Sequence, residues 1–387
     1  MIFFIVVIAI YSAANLYIFF KGYAAIPAFQ KNKILYVTFF LLFASLFIGG
    51  KILESKHSTV FSDILNILGG FWLAFMLYAF LFLFLSDIIS VLLRLAGVIN
   101  SHNIMNFRKW TYLGILALSI ILITGGFVNA LLPRVTEYNI HIDKPAGELK
   151  QLRIAAVSDI HLGSIIRKRS MKKLSEMLKK AEPDLVLLLG DIVDGEIGPV
   201  LRGDLLKYFT CPHCRGGMYA ITGNHEFIGG GSRTIPYIES KGIRVLKDEV
   251  VTVEGSVQIA GRLDRDLGRF FGKERLPLSQ LIAGTDPLKP LILLDHQPYN
   301  LEDAVENGVD LQLSGHTHNG QMWPLNLITS KHYELSYGYM KKGNTQFIVS
   351  SGFGLWGPRV RIGSRPELIL LNISFTNAAA SGTTGNN

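Results

Sequence analysis

The pattern of apolar and polar positions changes character near residue 133. Before it, apolar residues come in long unbroken runs; after it, they come in short runs broken by turn residues. Uncharged stretches cover 2–20, 34–50, 64–86 and 110–132. Each is near the roughly 20 residues a helix needs to cross about 30 Å of hydrocarbon, and none alternates as a barrel strand would. The pattern predicts four transmembrane helices within 1–133. The first run lacks a basic leader and a small-residue cleavage site, so it is expected to stay as an anchor. The runs contain no charged residue. That favours an anchor or lipid-access platform over a transporter, whose spans usually hold buried charge.

Residues 134–149 read as a short strand or linker. From 150 to 375, strand and helix patterns alternate. Buried strands are predicted at 152–158, 184–190, 217–222, 290–296, 309–315, 345–352 and 367–375, with a hairpin over 245–261 turning at Glu254-Gly255. An amphipathic helix is predicted over 167–181, with Met171, Leu174, Met177 and Leu178 on one face. The expected fold class is therefore all-α membrane helices followed by an α/β domain of two layered sheets with helices outside. The tail, 376–387, has no apolar anchor and is expected to be disordered.

Charge sharpens the membrane reading. The net charge is +8, yet residues 1–133 carry eight basic and three acidic residues, +5 of the total. The basicity flanks apolar segments, so membrane lipids are the expected partners and nucleic acid is not. The loops at 21–33 and 88–109 hold six basic residues against two at 51–63. This bias predicts a multi-pass protein of the cell membrane, with those loops in the cytoplasm and the second half outside. The only cysteines, Cys211 and Cys214, form a CPHC sequence without a thioredoxin-like context. A small disulfide or a passive loop pair is expected, and a thiol oxidoreductase is not.

Four short blocks carry the chemistry: DIHLG at 159–163, GDIVDG at 190–195, GNHE at 223–226 and GHTH at 315–318. Each sets Asp, Asn or His beside glycine, just after a run of strand-forming residues. That is where α/β sheets place ligands. With His296 in LLDHQP, they offer seven oxygen and nitrogen ligands: Asp159, His161, Asp191, Asn224, His296, His316 and His318. Seven is the number needed to hold two divalent ions side by side. A bridging carboxylate such as Asp191 would bring the ions to the roughly 3.5–4 Å of two-metal hydrolytic sites. Manganese, iron and zinc all suit such ligands. His57, His102, His141, His213 and His332 read as structural or surface residues.

On these blocks the chain resembles the calcineurin-like metallophosphoesterases, in particular the branch with N-terminal membrane segments. GHTHNGQ at 315–321 and WGPRVRIGSRPE at 356–367 add to the resemblance. The resemblance implies an αββα sandwich of two mixed sheets over 150–375. It implies one metal on Asp159, His161, Asp191 and His318, and another on Asp191, Asn224, His296 and His316. His225 would assist the leaving oxygen, with Asp194 orienting it. The implied reaction is attack by a metal-bridged hydroxide on a phosphoester or pyrophosphate, with a lipid-linked or sugar-nucleotide lipid substrate as one expectation. Many relatives carry Arg after the second Asp of GDxxD, where this chain has Gly195. Arg359, Arg361 and Arg365 are alternative phosphate-gripping residues, although each is expected on a solvated surface. The competing expectation is a transporter or receptor with a ligand-binding, non-catalytic outer domain.

Overall fold

The computed structural model describes residues 2–100, 102–228 and 232–376. The chain forms two compact units: Met1–Asn129 with Gly357–Ile362, and Ala130–Trp356 with Gly363–Asn387. The tail beyond 376 and the Gly229–Gly231 run lie outside the described residues.

The first unit is helical: α1 (Ile2–Ala25), α2 (Pro27–Lys31), α3 (Lys33–Lys56), α4 (Val60–Leu95) and α5 (Ile104–Ala130). Four of these helices are long and apolar enough to cross a membrane. All four extend beyond the uncharged run that predicted them on at least one side. A 36-residue α4 spans about 54 Å, well over a hydrocarbon core. The break between α3 and α4 is encoded locally. The Thr59 hydroxyl accepts from Ser62 N, and Ser62 Oγ accepts from Thr59 N, a reciprocal cap that starts α4. Glu54 and Asp63, which lie outside the uncharged runs, are buried beside this break, Glu54 paired with Lys51.

The second segment of this unit comes from far along the chain. Arg361 is completely buried, its N–H donating to Gly126 O at 3.0 Å, and Arg359 lies over the Phe127 ring. The solvated surface expected for Arg361 is therefore wrong. The pattern near 357–362 alternates short polar and apolar residues, so its destination is invisible without the helices that cover it.

The second unit is a sandwich of two six-stranded mixed sheets. Its strands are β1 (Arg134–Ile142), β2 (Gln151–Val157), β3 (Leu185–Leu188), β4 (Met218–Ala220), β5 (Arg244–Val245), β6 (Glu249–Val253), β7 (Val257–Gly261), β8 (Leu291–Leu294), β9 (Leu311–Ser314), β10 (Gly338–Lys342), β11 (Thr345–Val349) and β12 (Glu367–Phe375). One sheet runs β1-β12-β2-β3-β4-β5 and the other β10-β11-β9-β8-β7-β6. The stretch read as a short strand or linker supplies β1, which pairs in parallel with β12 along all nine residues. The predicted hairpin begins later than expected. Arg244 and Val245 pair with β4, and β6 and β7 form the hairpin in the other sheet.

Side-chain alternation builds the core between the sheets. Leu152, Ile154 and Ala156 of β2 meet Ile292, Leu294, Leu311 and Leu313 of the opposite sheet. Leu291 and Leu293 point the other way and are buried under Leu278, Leu281, Leu301 and Ala304. Strands buried on both faces tend to be apolar throughout, which is why β3 and β8 read as unbroken runs, whereas β9 (LQLS) buries Gln312 and Ser314 between its leucines. Helix α6 (Lys168–Ala181) buries the four residues named from its periodicity. A short α7 (Gly198–Gly203) follows β3.

Candidate metal centre

Five parallel strands end beside one another. Asp159 and His161 follow β2, Asp191 follows β3, Asn224 follows β4, His296 follows β8 and His316 with His318 follows β9. The loop tips are stitched together by their backbones. His161 N donates to Asp191 O at 2.9 Å, Gly315 N to His296 O at 2.9 Å, and His316 N to both Asp159 carboxylate oxygens. Two glycines allow this approach. A Cβ on Gly223 would stand 2.1 Å from Asp191 Oδ1, and one on Gly315 would stand 1.7 Å from Ser158 Oγ.

The structure brings the sequence-predicted ligands into overlapping groups. Ligand atoms of Asp159, His161 and His318 lie within 4.8 Å of one another, as do those of Asp191, His296 and His316. His161 and His318 face each other through their Nε2 atoms at 3.0 Å. Five of the seven candidates, Asp159, His161, Asp191, His316 and His318, hold left-handed backbone with φ between 50° and 70°. Non-glycine residues there cost about 1 kcal/mol or more each and are concentrated where function requires them.

The donor set fits a pair of divalent cations, which the structure's own orphaned atoms ask for. His296 Nδ1 is 2.7 Å from Leu189 O, so that nitrogen is the donor and Nε2 carries the lone pair. That lone pair stands 3.3 Å from Asp191 Oδ2, an arrangement that needs a proton or a cation between them. Burial would lower the His296 imidazole, but Asp191 lifts it well above its ordinary value. Asn224 Oδ1 is buried with no hydrogen-bond partner. Burial also raises the Asp159 carboxyl, yet His318 and His296 hold it below the usual range. Burial and the neighbouring His296 push His316 down to about 4, leaving it a neutral ligand at pH 7.

His225 sits beside these groups at the start of α8 (Asn224–Ile228). Its Nδ1 is 3.1 Å from Asp194 Oδ1, and its ring stands edge-on to His161. Burial alone would lower its pKa, but Asp191 and Asp194 outweigh that and raise it to about 9. An imidazolium next to the clustered ligands is a proton donor in position.

Two features were missed in the sequence. Glu226, the last residue of GNHE, is buried and accepts from four backbone amides: Asp191, Ile192, Val193 and Gly223. It ties two ligand loops into one piece. Burial, then the Asp191 charge, pushes its carboxyl up to about 7, and the amides pull the other way. The second is a rim of aromatics and one arginine. The Arg265 guanidinium lies 4.2 Å over the Tyr299 ring, Tyr299 packs on Tyr333 at 4.8 Å, and Tyr333 stands edge-on to His316 at 6.3 Å. The loop presenting Arg265 is rigid: Gln297 Nε2 donates to both oxygens of buried Asp264. Tyr299 also bonds the exposed His332, in keeping with its reading as a structural or surface residue. Arg365, an earlier candidate, donates instead to Leu132 O. Cys211 and Cys214 form a disulfide.

Comparison with known proteins fixes the family. A family model for calcineurin-like phosphoesterases matches residues 152–320. An uncharacterized metallophosphoesterase of Helicobacter pylori is 32% identical over 261 residues, covering 66% of this chain and 68% of the relative. The chain belongs to the calcineurin-like metallophosphoesterases. A Campylobacter jejuni metallophosphoesterase, also uncharacterized, is 29% identical over 388 residues, covering 96% of this metallophosphoesterase and 98% of the relative. That match runs through the apolar helices. The UDP-2,3-diacylglucosamine pyrophosphatase of Chlamydia trachomatis is 26% identical over 317 residues, 65% of this chain and 94% of the relative.

Proposed function

We propose that this metallophosphoesterase hydrolyses a phosphoester or pyrophosphate at two divalent metals. One would be held by Asp159, His161, Asp191 and His318, the other by Asp191, Asn224, His296 and His316. The observation that carries this reading is the convergence of five strand-end loops on clustered donors, with the His296 lone pair and Asn224 Oδ1 left for a cation. When bound, manganese, iron or zinc ions supply Lewis acidity that activates water and offsets charge on the phosphoryl group.

The chain's own residues do the rest. His225 donates a proton to the departing oxygen, and Asp194 holds that imidazole protonated and aimed. Neutral His316 keeps its lone pair available. Glu226 fixes the Asp191 loop against the Asn224 loop, so that ligands and acid keep a common frame. Arg265, seated on Tyr299, grips a second anionic group of the substrate and takes the place of the arginine that is absent at Gly195. A second anionic group favours an anhydride over a simple monoester. The four apolar helices and the activity named for the Chlamydia relative support a lipid-bearing pyrophosphate as substrate. We place the protein in the cell membrane with the metal centre outside the cytoplasm.

The test is a panel of mono-, di- and pyrophosphate substrates, with and without lipid tails, assayed with manganese. Wild type is expected to prefer a lipid-bearing pyrophosphate, and Asp191→Asn to be inactive on all. Failure of wild type to hydrolyse any of them, or equal rates in both proteins, would sink the reading.

A further inference from the structure

The helical unit contains a cavity of about 400 Å³ at the C-terminal ends of α1 and α4 and the N-terminal end of α5. That size falls in the range of small-ligand sites. Three of its lining residues are cations, Lys21, Arg94 and Arg108, and one is an acid, Asp87. The acid is already satisfied. Lys21 pairs with Asp87 Oδ1, and the Tyr17 hydroxyl donates to Oδ2 at 2.6 Å. Neither guanidinium is in an ion pair among the described residues. The cavity is therefore left with two unopposed positive charges, each carrying a planar donor fork suited to phosphate oxygens.

The remaining wall divides by chemistry. Ser86 and Thr111 add hydroxyls, whereas Phe20, Leu83 and Phe107 are apolar. A ligand that satisfies all of these has a compact anion attached to a hydrocarbon tail. The position agrees. Thr111 and Tyr112 lie 18 to 19 residues before Ala130, about 28 Å along α5, so the cavity sits at one end of a membrane-length helix rather than at its middle. The adjoining segments are the two rich in lysine and arginine, which the charge bias assigns to the side where anionic lipid is concentrated.

We infer that this cavity binds the phosphate headgroup of an anionic membrane phospholipid, with Arg94 and Arg108 gripping the phosphate and the Lys21–Asp87–Tyr17 cluster shaping the floor. The site is independent of the metal centre and of any hydrolytic reading. Lipid held here would join α1, α4 and α5 at the membrane surface.

The test uses the full chain in mild detergent, with lipid occupancy read by native mass spectrometry. Three ligands are compared: phosphatidylglycerol, phosphatidylcholine and soluble glycerol phosphate. Phosphatidylglycerol is expected to bind, and the other two are not. Arg94→Gln/Arg108→Gln is expected to weaken phosphatidylglycerol by about thirty-fold, from the usual contribution of two basic residues near a lipid surface. Arg94→Lys/Arg108→Lys keeps both charges and is expected to recover most of the binding, which separates a lost site from a lost fold. Equal binding of phosphatidylcholine, or an unchanged glutamine variant, would overturn the assignment. So would a lysine variant no better than the glutamine one. Tight glycerol phosphate would make this a site for free phosphate and overturn the lipid.

Discussion

The helical unit and the strand-end loops spend polarity and backbone geometry in opposite ways. In α1, α3, α4 and α5 the backbone is regular and buried polar side chains are few; some are paired with one another, while the Asn66 amide and the Ser119 hydroxyl have no hydrogen-bond partner. Asn15, for example, accepts from Trp72 Nε1 and donates to Tyr11 O. In the loops after β2, β3 and β9, five ligand candidates hold left-handed backbone, and buried donors and acceptors point at one another. Regular backbone is what hydrocarbon demands, since it cannot satisfy a stray amide or carbonyl. Irregular backbone is what a site needs to aim several short side chains at one point, and a rigid sandwich can carry its cost. One region is optimised for its solvent and the other for its contents.

The comparison is broken most severely by removing the shared carboxylate. Asp191→Asn is expected to lower kcat/KM by about 10³-fold or more and to leave fewer than two metals per chain by elemental analysis, while thermal unfolding of the helices is unchanged. His225→Gln should cost about 10²- to 10³-fold in kcat with metal content retained, because it removes a proton donor and not a ligand. A matched pair of substitutions then sharpens the contrast. Gly315→Ala forces a methyl into Ser158 and Asp159 and is expected to destabilise by about 2–3 kcal/mol in chemical denaturation. Gly114→Ala in α5 meets nothing within 4 Å and should stabilise the helix by about 0.5–1 kcal/mol.

A smaller effect is expected from pH. His225 is raised from its ordinary 6.5 to about 9. In chelator-stripped protein, the stability from its pairing is complete below about 6.5 and disappears as pH climbs through about 9. Asp194→Asn should move that loss to lower pH, read as Tm against pH. Bound cations repel the imidazolium, so the alkaline limb of kcat/KM should lie below 9 in the loaded enzyme and fall further in the variant.

Much of the candidate site was readable from the chain because each ligand candidate follows closely on an apolar run, and all but Asp159 and His296 sit within a residue or two of a glycine. That is a local signature, and local signatures survive in one dimension. The spans were readable for the same reason. What escaped depends on long-range placement. Glu226 looks like any helix-start acid until four amides from two loops surround it. Arg265, Tyr299 and Tyr333 are separated by tens of residues, and nothing in their neighbours marks them as a rim. Strand β10, GYMKK, has no apolar run because it is a half-exposed edge. Arg361 carries a charge, and charge alone argues for water.

The excursion of residues 357–362 into the helical unit makes the N-terminal region more than an interchangeable tether. Val360 and Ile362 press on Gly126, closely enough that a methyl there would meet both side chains at 2.6 Å. A fragment trimmed to begin at Ala130 would strip that cover and leave Arg361 and two branched aliphatic side chains without their bed. Swapping in a foreign anchor would do the same. Residues 357–362 and the helices they pack on thus form one unit, although the sequence separates them by more than two hundred residues.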